Sequence, residues 1–457
     1  MSQNKNILKT DHYVGRILLH ILIGVAVFMF EPLSKIYFYI VLGYFLVRII
    51  LLPEEKKTKE ILLACAYFAG AEVLFRMTKG GIAYEASKYL VILFMTLGMF
   101  FKGVSGRGYP YFIYLVALLP SILVASMTLS FDANFRTNIA FVLSGPVCLG
   151  IAALFCYDRK ISNNNLLEVI SNLIYPSIAT TVYLFLYNPS IKDTLSGTAS
   201  NAATSGGFGP NQVSTALGLG IIAIVIRLFM KSPSFGLKIF NLILLISISF
   251  RAIVTFSRGG VFAAIIVIIA FLGTIFYRSS EKLRNQIVVS FFLFITAVSI
   301  TWIISSSQTR GLIDMRYANK SASGLEKKDI TTGRLDLFME ELEGFIDNPI
   351  IGIGASRVKD IRVEMSGNQL PSHNEIGRLL SEHGMIGLFL IIILFIKPLV
   401  FRANNKRNYY FYAFFCFWFA TINHSGMRIA APALLYAFCL LNVTNEKHTI
   451  HRKQITK

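Results

Sequence analysis

The chain has 457 residues, of which 54% are hydrophobic and 15% charged, and its mean hydropathy is +0.59. A soluble domain of this length carries more charge, so the composition excludes a nucleic-acid-binding protein or a soluble enzyme. The formal net charge is +19. In a protein that crosses a membrane many times, such a charge can record orientation rather than an anionic partner.

Fourteen apolar runs have about the length that a membrane crossing needs. They start near residues 16, 34, 60, 88, 109, 137, 166, 211, 236, 261, 286, 384, 409 and 428. Several runs are short or interrupted by glycine, so twelve to fourteen transmembrane helices are predicted. The predicted fold is an all-α polytopic integral membrane protein with one large external loop that contains short helices.

Basic residues are distributed unevenly between the connecting segments. With a cytoplasmic N-terminus, the cytoplasmic segments hold 23 Lys or Arg and the short external segments hold 7, as the positive-inside rule predicts. Both termini are therefore expected in the cytoplasm. The expected parts are residues 1–305 with transmembrane helices 1–11, the external loop 306–382, residues 383–444 with helices 12–14, and a basic cytoplasmic tail, 445–457.

The five cysteines fall inside or at the ends of apolar runs. A disulfide framework or a thiolate metal site outside the membrane is therefore not expected. The first apolar run follows basic residues, but no cleavage site comes after it, so it is interpreted as a retained helix. No repeated halves of the kind found in transporters are evident.

A helical stripe is predicted inside the external loop. Residues 334–346 repeat apolar side chains with the helical period, with acids on the opposite side. Asp347-Asn-Pro349 is expected to end this helix, because the residue before a proline avoids helical geometry. The helix is expected to lie on the membrane surface or on the transmembrane bundle. The glycines within residues 350–356 then allow close backbone approach to another element.

His373 is a candidate general base. Ser372 and Glu375 have the spacing of a capping box, which predicts His373 in the first turn of a helix. The helix dipole there favours a neutral imidazole, the form that accepts a proton. The alternative is a solvated histidine beside a helix cap. His383 and His424 are the other histidines expected outside.

Two arginines stand at the outer end of the ninth predicted span. Arg251 and Arg258 are seven residues apart, so a continuous helix would place them on nearly one face. Arg251 would lie about 10 Å from the helix end, where a cation needs compensation. A carboxylate, helix-end carbonyls or a phosphate of a lipid ligand could supply it. Glu72 is a weak candidate, because Arg76 one turn later is its more favourable partner.

Several short motifs follow one another in a characteristic order. They are Ser257-Arg258-Gly259-Gly260, Gly333-Arg334, Asp347-Asn-Pro-Ile-Ile-Gly-Ile-Gly354, His373-Asn374 and Ser381-Glu382-His383-Gly384-Met-Ile-Gly387, with a polar segment ending at Asn211 before them. Together they resemble the O-antigen ligase and O-antigen polymerase superfamily.

The resemblance implies a GT-C-like glycosyltransferase of lipopolysaccharide or other polysaccharide biosynthesis, in the bacterial cytoplasmic (inner) membrane. Such an enzyme moves a glycan from undecaprenyl diphosphate to a glycan or lipid A-core acceptor on the outer face. It needs no metal or other cofactor and has no nucleic-acid partner. Arg258 and Arg334 match the family's diphosphate-contacting arginines, and His373 matches its essential loop histidine. Guanidinium groups can meet the charge that develops on the leaving diphosphate.

Five further residues are candidates for substrate binding: Arg251, Asn374, Glu375, Glu382 and Asn211. Glu375 and Glu382 are also alternative bases, although a cap and an orienting role suit them better.

The sequence leaves the acceptor open. A ligase and a polymerase need the same leaving group and the same base, and the ligase is only slightly favoured. The remaining alternatives are a protein O-oligosaccharyltransferase and a non-enzymatic glycan transporter. A transporter would place its charges along a central pathway, whereas the candidate residues here gather at one membrane face.

Overall fold

The computed structural model describes residues 2–195, 197–327, 329–331, 333–367 and 372–444, without the side chains of residues 2–11, 282, 283, 286 and 366. The predicted tail, 445–457, lies outside the described residues. Almost every described element is a helix. Two short strands, β1 (Lys160–Ser162) and β2 (Asn442–Thr444), pair in parallel. The predicted all-α fold is confirmed.

The helices follow one another with short connections. The first nine are α1 (Ser2–Met29), α2 (Leu33–Leu51), α3 (Glu54–Met77), α4 (Ala86–Lys102), α5 (Tyr109–Ala117), α6 (Pro120–Thr128), α7 (Phe135–Cys156), α8 (Asn163–Tyr187) and α9 (Ile191–Thr194). The next four are α10 (Pro210–Met230), α11 (Phe235–Ile253), α12 (Arg258–Arg278) and α13 (Glu281–Gln308). The last six are α14 (Leu312–Tyr317), α15 (Arg334–Asp347), α16 (Arg357–Ser366), α17 (Glu375–Asn404), α18 (Phe411–Ile422) and α19 (Ala430–Cys439). Two short 3₁₀ helices, Gly106–Gly108 and Ala203–Ser205, precede α5 and α10.

Each of the fourteen predicted apolar runs is helical. Ten helical stretches in the described part of the chain are long and apolar enough to cross a membrane. They contain α1, α2, α5 with α6, α7, α8, α10, α11, α12, α13 and α17. The other four runs form α3, α4, α18 and α19, which are shorter or carry more charge. The protein is a multi-pass membrane protein.

The centre of the bundle is formed by helices that are buried around most of their surface. α8 and α10 are the clearest examples, and α3 packs against α8 and α4. α19 packs against α7 and α18, and α12 packs against α10 and α18. Helices that are apolar on all sides belong in such a centre, whereas α1, α2 and α13 leave most of their side chains on the outside.

The large loop between α13 and α17 contains α14, α15 and α16. α15 begins and ends close to the predicted positions, and it packs against α17. A Cβ on Gly377 of α17 would meet Phe338 and Glu341 of α15. Glu341 is fully buried, so the expectation that all acids lie opposite the packing side is wrong. Arg362 compensates this carboxylate, with its Nη2 3.3 Å from Glu341 Oε1.

The glycine-rich segment after α15 lies directly on the backbone of α17, which confirms the predicted close approach. The Ile353 amide donates to the Ser381 carbonyl at 2.9 Å, and the Gly354 amide donates to the Glu382 carbonyl at 3.2 Å. A Cβ on Gly352 would lie 2.5 Å from the backbone carbon of Glu382. No larger residue fits at this position without moving one of the two segments.

α17 is interrupted at Gly384, whose φ is 62° and ψ is −138°. Glycine adopts this conformation without the penalty that a Cβ brings. At the same point, the Met385 amide donates to the Pro349 carbonyl at 2.7 Å. The helix therefore changes direction where the large loop touches it.

Candidate functional site

The N-termini of α10 and α12 lie side by side. Ser257, the N-cap residue of α12, donates its hydroxyl to Asn211 Oδ1 at 2.7 Å. Ser214 in α10 donates to the Ser257 carbonyl at 3.1 Å. A Cβ on Gly260 would lie 2.3 Å from Ser214 Oγ, so glycine is required for this contact. Two helix N-termini at one place favour an anion there.

Arg258, the first residue of α12, ties the large loop to this helix end. Its Nη2 donates to the Ile330 carbonyl at 2.8 Å, and its Nη1 lies 3.4 Å from the Arg316 carbonyl. Arg316 in turn donates Nε to the Phe256 carbonyl at 3.1 Å. The loop is thus held by hydrogen bonds from the two guanidinium groups to backbone carbonyls.

Arg334, at the start of α15, lies close enough to Arg258 and Arg316 to interact electrostatically with them. Burial and the Arg258 charge lower the pKa of Arg334. Burial, followed by the charges of Arg258 and Arg334, lowers the pKa of Arg316. Among the described residues, none of the three forms an ion pair with a carboxylate. The exposed Asp329 also feels the Arg258 charge, but its carboxylate accepts hydrogen bonds from Thr331 and Gly333. Crowded cations that form no ion pair with a carboxylate among the described residues favour the binding of an anion that carries more than one charge.

His373 precedes α17 rather than lying in its first turn. The N-cap residue is Asn374, whose Oδ1 accepts from the amides of Ile376 at 2.9 Å and Gly377 at 3.2 Å. The capping-box prediction with Ser372 as the N-cap is therefore wrong. Asparagine caps a helix as well as serine does, and here it stands closer to the helix. The predicted substrate-binding side chain of Asn374 is occupied with the cap.

The His373 imidazole is held in its neutral form. The backbone of His424 lies beside the imidazole, and Nδ1 is buried without a partner among the described residues. Burial, with the charges of Arg428 and Arg334, lowers the pKa of His373 to about 3. The neutral form was expected, but burial and arginines cause it rather than a helix dipole. A neutral imidazole can accept a proton.

The segment between α18 and α19 supplies two residues that the motif pattern missed. The His424 ring lies against Gly259, where a Cβ would be 2.0 Å from His424 Cδ2, and His424 Nε2 lies 3.4 Å from Thr215 Oγ1. Arg428 donates Nη2 to the Ser372 carbonyl at 2.7 Å. Arg428 is the one basic residue in its short connection, and that was the available signal.

Glu375 and Glu382, the alternative bases, are both paired with Arg378. Arg378 Nη1 lies 2.7 Å from Glu382 Oε2, and Arg378 also contacts Glu375. Glu382 Oε1 accepts from the Ser356 amide at 2.8 Å, and Glu375 Oε2 accepts from the Met427 amide at 3.4 Å. Both carboxylates therefore orient the segments around His373 and are engaged as acceptors. His383 is buried inside α17.

The structure does not bring Arg251 to these residues. Its guanidinium donates to the carbonyls of Asn188 at 3.4 Å and Thr204 at 3.2 Å, and it lies 5.2 Å from the Phe185 ring. α11 ends before residues 254–257, where the chain leaves the helix. The prediction of one continuous face for Arg251 and Arg258 is therefore wrong. Of the expected forms of compensation, backbone carbonyls are the one found.

These side chains form a single group, which we call the arginine–histidine cluster. Its members are Arg258, Arg316, Arg334, Arg428, His373 and His424. A neutral imidazole beside several arginines suits a reaction in which a nucleophile loses a proton and an anionic group leaves. The described residues include no group of three or more His, Cys, Asp or Glu placed to hold a metal ion. The class is thus a multi-pass membrane protein with a cluster of arginines and histidines where its helices meet its largest loop.

Comparison with known families identifies this class further. Residues 240–392 match the family model described as O-Antigen ligase. This part of the chain carries the O-antigen ligase domain, which confirms the superfamily that the motifs resemble. The matched segment includes Arg258, Arg334 and His373, and it ends before His424 and Arg428. No curated protein matches the chain.

Proposed function

We propose that this protein is a bacterial O-antigen ligase that transfers a glycan from undecaprenyl diphosphate to an acceptor hydroxyl, such as one on lipid A-core. The reaction takes place on the outer face of the cytoplasmic membrane, with both termini inside, in agreement with the distribution of Lys and Arg. The observation that carries the proposal is the neutral His373 close to Arg334, which forms no ion pair with a carboxylate in the part of the chain that the structure describes.

Arg258 and Arg334 hold the diphosphate of the donor. During transfer, the bond between the anomeric carbon of the sugar and a diphosphate oxygen breaks, and negative charge grows on the leaving group. A guanidinium can meet two phosphate oxygens at once, and such preorganised donors stabilise the transition state more than the ground state. Arg316, which lies close enough to feel both charges, adds to the positive field. No metal ion takes part in this scheme.

His373 acts as the general base. Its neutral imidazole takes the proton from the acceptor hydroxyl while the acceptor oxygen attacks the anomeric carbon opposite the leaving diphosphate. The new glycosidic bond forms as the bond to diphosphate breaks, so the anomeric configuration inverts. Glu375 and Glu382 do not compete for this proton, because Arg378 engages both carboxylates.

An apolar groove in the structure supports the proposal that the substrate is linked to a lipid. It has a volume of about 610 Å³ and lies between α5 and α17, next to the glycine-rich segment of the large loop. Its lining includes Phe112, Val116, Ile350, Met385 and Phe389. A flexible isoprenoid chain can bury its apolar surface in such a groove, because the lining side chains are apolar as well.

The test uses the purified protein in lipid nanodiscs, with a labelled undecaprenyl-diphosphate glycan and lipid A-core. His373→Ala should abolish transfer and leave donor binding intact, while the matched control His12→Ala, an exposed histidine of α1, should transfer normally. Undiminished transfer by His373→Ala would place the base elsewhere. Addition of EDTA should have no effect, and a loss restored by a divalent cation would contradict the metal-free scheme.

The acceptor is tested in cells. Deletion of the gene should cause long lipid-linked polymer to accumulate, because a ligase acts on the finished chain. Accumulation of a single lipid-linked repeat unit would instead identify a polymerase, and a unit trapped on the inner leaflet would identify a transporter.

A further inference from the structure

We propose that the ion pair Glu72–Arg76 on α3 is a positioning element that holds both the base and the diphosphate side of the site. This inference rests on the proposed glycosyl transfer. Both residues precede the matched segment 240–392 by more than a hundred positions. Neither residue belongs to the arginine–histidine cluster, so the role assigned to them is positioning and not catalysis.

The pair belongs to a buried group of four charges. Arg76 Nη2 lies 2.5 Å from Glu72 Oε1 and 2.8 Å from Glu85 Oε2, and Lys88 Nζ lies 2.5 Å from Glu85 Oε2. Glu72 is 1% exposed and Lys88 is fully buried. Two acids and two bases cancel in net charge. Burial of ion pairs is nevertheless a poor source of stability, since desolvation offsets their attraction, so their value lies in the geometry that they impose.

The first branch leads from Glu72 to the segment between α18 and α19. Glu72 Oε2 accepts from the Ala430 amide at 2.6 Å, at the N-terminus of α19. The N-cap position of that helix is Ile429, which has no side-chain acceptor. Glu72 thus supplies across the bundle the cap that the local sequence lacks. Lys88 adds a weaker contact at 3.5 Å to the carbonyl of Met427.

The segment between α18 and α19, which Glu72 fixes at the start of α19, also contacts the residues around His373. Arg428, two residues before Ala430, donates to the Ser372 carbonyl at 2.7 Å. The backbone of His424, in the same segment, lies beside the imidazole of His373. Both contacts that orient the base therefore depend on a segment whose position Glu72 sets.

The second branch leads from Arg76 to the donor side. Arg76 Nη1 donates to Gln212 Oε1 at 2.7 Å, in the first turn of α10. The neighbouring Asn211 accepts from the Ser257 hydroxyl at 2.7 Å. Ser257 is the N-cap residue of α12 and directly precedes Arg258. A shift of α10 would therefore move the N-terminus of α12 and the guanidinium that the diphosphate contacts.

The two branches predict different kinetic effects. Loss of the Glu72 branch displaces the base, and a displacement of about 1 Å costs on the order of a hundredfold in rate. Glu72→Gln should accordingly lower kcat by about 10- to 100-fold and change the donor KM by less than about threefold. Gln212→Leu should raise the donor KM by about tenfold with a smaller change in kcat. A purely structural role would change yield and melting temperature and leave both constants of the folded protein unaltered.

The matched control is Glu60→Gln. Glu60 lies on the same helix and pairs with Arg48 at 2.6 Å, but neither contacts the arginine–histidine cluster. The four proteins are compared in nanodiscs for kcat, donor KM and melting temperature. We expect the Glu60 variant to keep wild-type constants. If Glu72→Gln fails to insert, Gln212→Leu carries the test, because it removes no charge from the buried group.

The outcomes separate this inference from the proposed function. A wild-type protein that transfers no glycan overturns the function itself. Given active wild type, constants for Glu72→Gln and Gln212→Leu that equal those of Glu60→Gln overturn the positioning role. The same decrease in kcat and the same increase in donor KM in both variants would also overturn it, since the two branches would then not be separate. A kcat effect for Glu72 and a KM effect for Gln212 support it.

Discussion

Donor binding should raise the basicity of His373, and the pH dependence of transfer should reveal it. In the ligand-free protein, burial and the charges of Arg428 and Arg334 lower the pKa of His373 to about 3. Compared with the ordinary value of about 6.5, protonation of the imidazole costs about 5 kcal/mol more than in water. A diphosphate bound at the arginines cancels their repulsion of the imidazolium, while burial remains. The pKa of His373 in the donor complex should therefore be higher.

The expected sign follows from the role of a base. His373 is active when neutral, so activity is lost as pH falls through its pKa. The pH profile of kcat/KM reports the free protein and that of kcat reports the donor complex. Because an opposite charge nearby shifts a pKa by about 1–3, the acid limb of kcat should lie at least about one pH unit above that of kcat/KM. A diphosphate diester stays ionised over this range and does not add a limb of its own.

The assay is steady-state transfer by the purified protein from about pH 2.5 to pH 9, a range that includes the pKa of His373 in the free protein, with the donor as varied substrate and saturating acceptor. An acid limb of kcat that coincides with that of kcat/KM, or lies below it, would refute the reasoning. Arg334→Gln is the internal control. With one of the two charges absent before the donor binds, the separation between the limbs should shrink.

Three other predictions concern Arg258, Arg251 and the orientation of the chain in the membrane. Arg258→Lys should reduce kcat/KM by about 10- to 150-fold, measured from initial rates. An ammonium cannot replace a forked guanidinium, and the loss of one charge-assisted hydrogen bond costs about 1.5–3 kcal/mol. Full activity of the lysine variant would mean that Arg258 contributes only its positive charge. Arg251→Gln should lower yield and melting temperature and leave the donor KM unchanged, because its partners are the carbonyls of residues 188 and 204; a raised donor KM in a well-expressed variant would contradict this. In whole cells, a cysteine introduced by Ser323→Cys should react with an impermeant thiol reagent and one introduced by Lys56→Cys should not, and the reverse pattern would invert the proposed orientation.

Features that depend on local sequence were predictable. Apolar runs become helices in a membrane because no other conformation satisfies their backbone groups, so all fourteen runs were found. The limits of α15 follow from its stripe and from Pro349. The partner of Glu72 was also predictable, since Arg76 stands one helical turn away.

Features that depend on distant parts of the chain were not predictable. Arg428 reaches Ser372 across 56 positions, and nothing in the motif order connects the two. The partners of Arg251 are backbone carbonyls, which every residue has. The residue types in the sequence therefore cannot indicate where these partners lie. At the start of α17, serine and asparagine are both good caps, so the local sequence does not decide between Ser372 and Asn374 as the N-cap residue.

The break at Gly384 has a consequence for how deep the paired charges of α17 lie. Only residues 385–404 continue beyond it, and at about 1.5 Å per residue they extend about 30 Å, the thickness of a hydrocarbon layer. The preceding segment, which includes Arg378, then stands above the lipid, and the loop amides that donate to its carbonyls fasten it to the soluble part. Its acids and arginine thus avoid the cost of insertion into the bilayer. Gly384 thus divides α17 into a part long enough to cross the membrane and a shorter part that supports the proposed reaction centre.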